Sequence, residues 1–310
     1  MGRPTRFNQV QADAFLGATT DNSPFGKVWY VDGTNGADGN AGDAPDEAFA
    51  SIGQAITAAT ATRGDTVVIY PGTYTITTAL SPKAFMTFKA AIVNPQAPSV
   101  SIRGNLASLM NVDVNGCRFV GLEFRGTGTT VRRLVKLADT TAITGGVLFE
   151  DCVFHGADTG SVNGASGLSA MDGTNAVTGL VVRRCAFTNL GKTPFEVGVI
   201  GIPYAKIEDN LFAIDTPSGF GIRLEDTAAF ATGKGAVIRN NDFIGQSLTS
   251  PNFVGISIVG TEHTTAAHMI RTNYFAYCAL ASITADKITD GVIENYVGDN
   301  AGGAKVDSGA

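Results

Sequence analysis

Charge is scarce in this sequence: Asp, Glu, Lys and Arg make up 16% of its 310 residues, against about 25% in an ordinary soluble domain. Such a chain is poor in solvated helix faces. Its 22 Lys and Arg are scattered and its net charge is −6, so no basic stripe exists to neutralise a phosphate backbone, and nucleic-acid binding is disfavoured. No apolar run reaches the ~18 residues of a membrane-crossing helix, and the first 30 residues lack the apolar stretch of a secretory signal. The sequence as it stands therefore points away from a membrane span and from export by that route. Cysteine is limited to Cys117, Cys152, Cys185 and Cys278, without a CxxC pair or a His at metal-ligand spacing, which excludes a disulfide framework and a zinc site.

What the chain does have is glycine, 38 residues, and 44% hydrophobic residues with mean hydropathy +0.12. It is rich in turns yet able to bury a long core, so general disorder is excluded. The length would hold two average domains, but elongated all-β architectures also reach it as one unit.

An internal repeat overrules local propensity, and one is present. The motif is apolar, x, x, Asn or Cys, x, Phe. It recurs as Val114–Phe119, Phe149–Phe154, Val182–Phe187, Ile207–Phe212, Ile238–Phe243 and Ile270–Phe275, with a degenerate copy at Ile293–Gly298. A regular motif at irregular spacing predicts one coil per motif, with loops of varying length between. The fourth position predicts an inward side chain at a turn: Asn can bond neighbouring backbone and the Asn of the next coil, and Cys acts there as a small buried hydrophobe. The Phe two residues later predicts an aromatic ladder. The position after the first apolar residue reads Glu150, Arg183, Glu208, Arg239, Arg271, Glu294, mostly opposite charges facing one another in strands ~4.8 Å apart.

Upstream, the short apolar runs Thr66–Tyr70, Phe85–Lys89, Val100–Arg103 and Leu134–Leu137 predict further coil strands. Ser51-x-x-Gln54 followed by Ile52, Ala55, Ile56 and Ala59 predicts one short capped amphipathic helix covering the open end of the stack. The expected fold is all-β, a right-handed parallel β-helix of about nine or ten coils and roughly 45 Å length, closed at its N-terminal end by that helix. The expected layout is residues 1–27 as an attachment arm, 28–298 as the β-helix with its cap, and 299–310 as a flexible tail.

The stretch Trp29–Gly42 (WYVDGTNGADGNAG), then Phe49–Ile56 (FASIGQAI), then Gly64–Tyr74 (GDTVVIYPGTY) resembles the N-terminal cap and first coil of pectin-lyase-like single-stranded right-handed β-helix proteins. With the downstream motifs the resemblance covers roughly residues 28–298. It implies the fold and leaves function open, because that superfamily includes polysaccharide lyases, hydrolases, surface proteins and bacteriophage spikes. For the lyases it implies acidic residues holding calcium beside a basic residue that abstracts a proton, and for the hydrolases clustered aspartates. The nearest candidates are Asp151, Asp209 and Asp242 with Arg183, Arg184 and Arg239. Arg184 and Asn240 interrupt that column, so a structural surface ladder is favoured over an active site.

Asp32, Asp38 and Asp43 lie in an Asx-rich loop that offers calcium oxygen ligands, but their spacing fails the EF-hand pattern and a Gly/Asx turn is favoured. No other cofactor is expected. His155, His263 and His268 read as surface or loop imidazoles, and Cys117, Cys152 and Cys185 as ladder thiols. Gly156–Gly179 and Phe220–Gly235 read as long Gly/Ala/Thr-rich loops projecting from the rod.

Residues 1–27 place Arg6, Phe7, Phe15 and Leu16 in a polar background, too apolar for a tail, so they are expected to order against another surface. The C-terminal Gly298–Ala310 provides no second capping helix, and an uncapped stack invites association. These features favour a bacteriophage virion surface protein: a spike, fibre or capsid decoration, homotrimeric by analogy, attached to other virion proteins through residues 1–27 and contacting host glycans. The alternatives are an extracellular polysaccharide lyase or depolymerase of this fold, and a non-catalytic glycan-binding adhesin.

Overall fold

The computed structural model describes residues 26–298 except 95–96, 129, 157–165, 171–174, 191–193, 198–201, 215–219, 226–234, 246–253, 260–267, 277–282, 286–291 and 294. The chain winds into three parallel sheets, a right-handed parallel β-helix. Among the described residues sheet A has ten strands, from Val28–Val31 to Val292–Ile293, and sheet B nine, from Gly72–Thr75 to Tyr296–Gly298. Sheet C has seven, from Ser108–Val112 to Ile283–Ala285. No described helix is long and apolar enough to cross a membrane. Residues 1–25 of the expected arm at 1–27, with Arg6, Phe7, Phe15 and Leu16, and the tail at 299–310 lie outside the described residues.

The motif sets the turn from sheet A to sheet B, and its Phe forms the expected ladder. Phe124, Phe154, Phe187, Phe212, Phe243 and Phe275 are fully buried and stacked, with centroids 4.7 to 5.4 Å apart. In-register parallel pairing forces that distance, and each offset pair adds about 0.5–1.5 kcal/mol beyond area burial. A second stack, Phe88, Phe119 and Phe149, runs inside sheet A.

Two motif copies are out of register. Phe119 pairs with Phe149 in sheet A, so the first copy is Phe119–Phe124, not Val114–Phe119. Cys117 precedes the sheet A strand and is not in the ladder. The physical reason is that Gly121 (φ +70) supplies the left-handed turn that Asp151, Arg184 and Asp209 make in later coils, and Leu122 fills the ladder position, which conceals the motif. At the other end Arg271 faces Ile293, not Glu294. Asn295 is the ladder residue there, and Val297 takes the Phe position.

The ladder column runs Val100, Leu122, Cys152, Cys185, Asn210, Asn241, Asn273, Asn295. Each buried Asn bonds the next: Asn210 Nδ2 donates to Asn241 Oδ1 (2.9 Å) and to Val182 O (3.0 Å), and Asn241 Nδ2 to Asn273 Oδ1 (2.9 Å) and Ile207 O (2.9 Å). Asn210 Oδ1 accepts from the Cys185 amide (2.9 Å). Cys152 and Cys185 show that a thiol fits the column. Asn210→Cys should therefore fold but lose about 1–3 kcal/mol, the cost of stranding buried partners, read as a lower urea midpoint at unchanged m-value.

The helix spans Ile52–Ala58, with Ser51 Oγ accepting from Gln54 N (3.2 Å). Ser51 is itself held by Asp38, whose carboxylate accepts from its amide and its hydroxyl (both 2.8 Å). Beneath the helix, Asp65 is fully buried and accepts from Arg63, Trp29 Nε1 and the Lys27 and Thr60 amides.

The segments read as long loops contain strands of sheet C, Ser166–Ala170 and Phe220–Glu225. Each carries a glycine that breaks the usual strand composition, and packing explains it. A Cβ on Gly167 would lie 2.8 Å from the Phe187 ring, and one on Gly221 2.5 Å from the Phe243 ring. Gly221→Ala should cost about 1–3 kcal/mol of stability by overpacking, seen as a lower thermal midpoint.

Candidate functional site

The proposed column of Asp151, Arg184 and Asp209 exists, at the short turn between sheets A and B. All three residues are left-handed, with φ of 54°, 52° and 57°. Arg184 donates to Asp151 (Nε to Oδ1, 2.8 Å) and also bonds Glu150, which Arg183 contacts at 2.7 Å. Arg239 meets Glu208 at 3.1 Å. These alternating pairs form the expected surface ladder on sheet A, the arginines 37–47% exposed over carboxylates 13–14% exposed, and with one partner in solvent each contributes little, about 0–1 kcal/mol. Asp242 stands apart, exposed on sheet B, where partial desolvation pushes its carboxyl up.

The calcium candidates do not converge. Asp32 closes a turn by accepting from the Thr34 and Asn35 amides and from Asn35 Nδ2, which hold its carboxyl below the usual range. Asp38 is committed to Ser51. Among the described residues no three His, Cys, Asp or Glu side chains come together as metal ligands. Burial pushes the Cys117 thiol up to about 12 and Cys185 well above its ordinary value, so neither is a thiolate nucleophile. His155 Nδ1 lies 2.8 Å from Thr188 Oγ1, and His268 Nδ1 accepts from the Ala236 amide (3.2 Å). Cys278 and His263 lie outside the described residues.

Sheet C carries a different arrangement. Its outward row is Asn111, Lys136, Ser169, Glu196, Arg223, Ser257, one residue per coil. On sheet A such positions are part-exposed salt pairs, and here the hydroxyls are withdrawn from water altogether: Ser169 is 0% exposed, Ser257 1% and neighbouring Ser166 1%. Ser166 Oγ donates to Glu196 Oε2 (2.7 Å), and Arg133 Nε donates to Ser169 Oγ (3.1 Å). The Arg223 guanidinium is seated 5.5 Å from the Phe220 ring centroid, and Lys136 Nζ is 2.7 Å from Asp139. One carboxylate thus sits a single strand spacing, about 4.8 Å, from a guanidinium, with hydroxyls and a second cation further along the row. Such a set can neutralise an anionic substrate group and move a proton beside it.

The sequence reading missed this row. Its members lie in strands separated from the motif by connections of unequal length, 156–165, 189–194, 215–219 and 246–253, so no fixed spacing ties Ser169, Glu196 and Arg223 together. The sole cue is a polar residue between two buried apolar ones, Ser169 between Leu168 and Ala170 and Arg223 between Ile222 and Leu224.

No protein-family model matches the chain, and no curated protein matches it. Solved structures do. A pectin methylesterase from Erwinia chrysanthemi superposes with TM-score 0.55 at 10% identity, covering 88% of this chain and 81% of that one. A pectin methylesterase from Aspergillus niger gives 0.54 at 14%, covering 91% and 87%. A PL6 family alginate lyase gives 0.49 at 16%, covering 79% of this chain, which spans 35% of that lyase's length. The chain has the parallel β-helix fold of the pectin-lyase-like proteins, and at these identities the likeness defines the fold alone.

Proposed function

We propose that the chain is a polysaccharide lyase or related depolymerase that acts on an acidic polysaccharide along the outer face of sheet C. The observation that carries this reading is the row Lys136, Ser169, Glu196, Arg223, with its hydroxyls buried and its one carboxylate bonded to Ser166. The names of the similar structures with the better superpositions, pectin methylesterases, support glycan chemistry more than the virion role expected from residues 1–27, for which no described residue speaks.

Among the described residues of this row Glu196 is the only carboxylate, and two-carboxylate glycoside hydrolysis needs a pair. β-Elimination needs one base and one charge sink. Glu196 takes the proton at C5 of a uronate, Arg223, one strand away, holds the adjoining carboxylate as charge develops on it, and a C4–C5 double bond forms as the C4–oxygen bond breaks. The Glu196 proton passes to the departing oxygen. Ser166, donating to Glu196, fixes the carboxylate's orientation as a positioning residue.

The test is incubation of the full chain with polygalacturonate, alginate and capsular glycans, following the ultraviolet absorbance of the conjugated unsaturated uronate. A rising absorbance is expected on at least one substrate. Reducing ends without unsaturation would replace elimination by hydrolysis, and no product from any acidic glycan would overturn catalysis altogether.

A further inference from the structure

Sheet B carries a cavity that the row on sheet C does not share, of about 780 Å³. Its floor has two outward rows. One reads Arg103, Arg125, His155, Thr188, a cation or hydrogen-bonding side chain in each of four successive coils. The other reads Glu123, then Val153, Ala186 and Leu211, changing from polar to apolar. Glu123 stands between the two guanidiniums, 3.8 Å from Arg103 and 3.5 Å from Arg125. These are long contacts, and the Arg103 side chain keeps 34% of its surface in solvent after donating Nε to Ser101 (2.7 Å). Arg184, on the edge of the same cavity, is held by two carboxylates, Asp151 and Glu150, whereas Arg103 and Arg125 share the one carboxylate of Glu123 and together bring net positive charge to the cavity.

We propose that this face is a second binding site, for a chain of anionic sugars. Three features select that ligand. Paired guanidiniums one coil apart suit carboxylate or sulfate groups, which they bind through forked hydrogen bonds. The apolar strip Val153, Ala186, Leu211 beside the cationic row suits a pyranose, which offers an apolar ring face and a polar rim. Successive side chains recur every ~4.8 Å, close to the length of one pyranose residue, so a linear glycan lying across the strands would present one sugar per coil. Sheets B and C are different walls of the prism, so the site on sheet B binds polymer without taking part in turnover and raises the local concentration of chain near sheet C.

The experiment uses the full chain carrying Glu196→Gln, which removes turnover, and measures binding by calorimetry to three probes: polygalacturonate fragments, carboxyl-reduced polygalacturonate fragments and heparin fragments. Acidic fragments should bind at least ~10-fold tighter than the reduced ones, with an affinity that falls as salt rises. The uronate and heparin arms decide whether carboxylate or sulfate is preferred. In a chain that also carries Arg223→Gln, which removes the carboxylate contact on sheet C, Arg103→Gln with Arg125→Gln should abolish that preference while the thermal midpoint stays within a few degrees. Ala186→Trp, which fills the cavity without touching a charge, should abolish it as well and guards against misfolding of the double variant. Equal binding of acidic and reduced fragments would overturn the proposal. So would unchanged binding in either sheet B variant, or loss of all binding in Arg223→Gln instead.

Discussion

Glu196→Gln should lower kcat on an acidic polysaccharide by about 10²–10⁴-fold, the usual contribution of a positioned general base. Gln keeps the size of the side chain and an oxygen that accepts from Ser166 Oγ, now 2.7 Å from Glu196 Oε2, so folding and KM should change little. Loss of kcat at unchanged KM would mean that the carboxylate acts in the transition state and not in substrate binding. Arg223→Lys separates the second role: it keeps the charge one strand from Glu196 but loses the planar fork. A fall in kcat/KM that Lys restores only in part would assign Arg223 to the substrate carboxylate. If Glu196→Gln retains full turnover, sheet C is not the reactive face, and the acid–base reading fails whatever the glycan-binding result on sheet B.

The fold was legible because one coil is encoded by one local signal. A left-handed turn residue, an inward amide or thiol and a Phe fall within six positions, and nothing distant is needed to recognise them. Where a substitute could serve the same geometry the signal failed: Gly121 with Leu122 at one end, Val297 at the other. The charge column was likewise legible from Glu150 to Arg271 and slipped where Arg271 meets Ile293. The candidate site was not legible, for a topological reason. Ser169, Glu196 and Arg223 become neighbours only because parallel strands stack in register, while the connections before them vary in length. Small inward residues such as Gly167, required by the Phe187 ring, also erased the usual β-strand composition. Sequence therefore pointed to Asp151 and Arg184, which share a motif, over Glu196 and Arg223, which share a surface.

The largest stability effect should come from Asp65→Ala. Asp65 is fully buried, and its carboxylate takes five hydrogen bonds: two from Arg63, both 2.6 Å, one from Trp29 Nε1 (3.0 Å), and one each from the Lys27 and Thr60 amides (2.9 Å). Removing it leaves the Arg63 guanidinium, whose side chain is 5% exposed, buried without its counter-charge, a defect that costs about 3–5 kcal/mol. Because a coil stack is held by nearest-neighbour interfaces, that cost should fall on the cap first. Trp29 is the chain's only tryptophan, so its fluorescence reports the cap while far-ultraviolet circular dichroism reports all the coils. In Asp65→Ala the fluorescence transition in urea should precede the dichroism transition; coincident, unshifted transitions would show that the cap does not depend on Asp65. Acid should mimic the substitution. Burial pushes the Asp65 carboxyl up, but the donors from Arg63, Trp29, Thr60 and Lys27 outweigh it and hold the value at about 2, against 3.8 for the free side chain. A depressed folded-state value gives stabilisation that is complete above about pH 4 and is lost as pH falls towards 2. The Trp29 midpoint should therefore drop across that window in the natural chain and stay flatter in Asp65→Ala, which has no carboxyl at that position left to titrate.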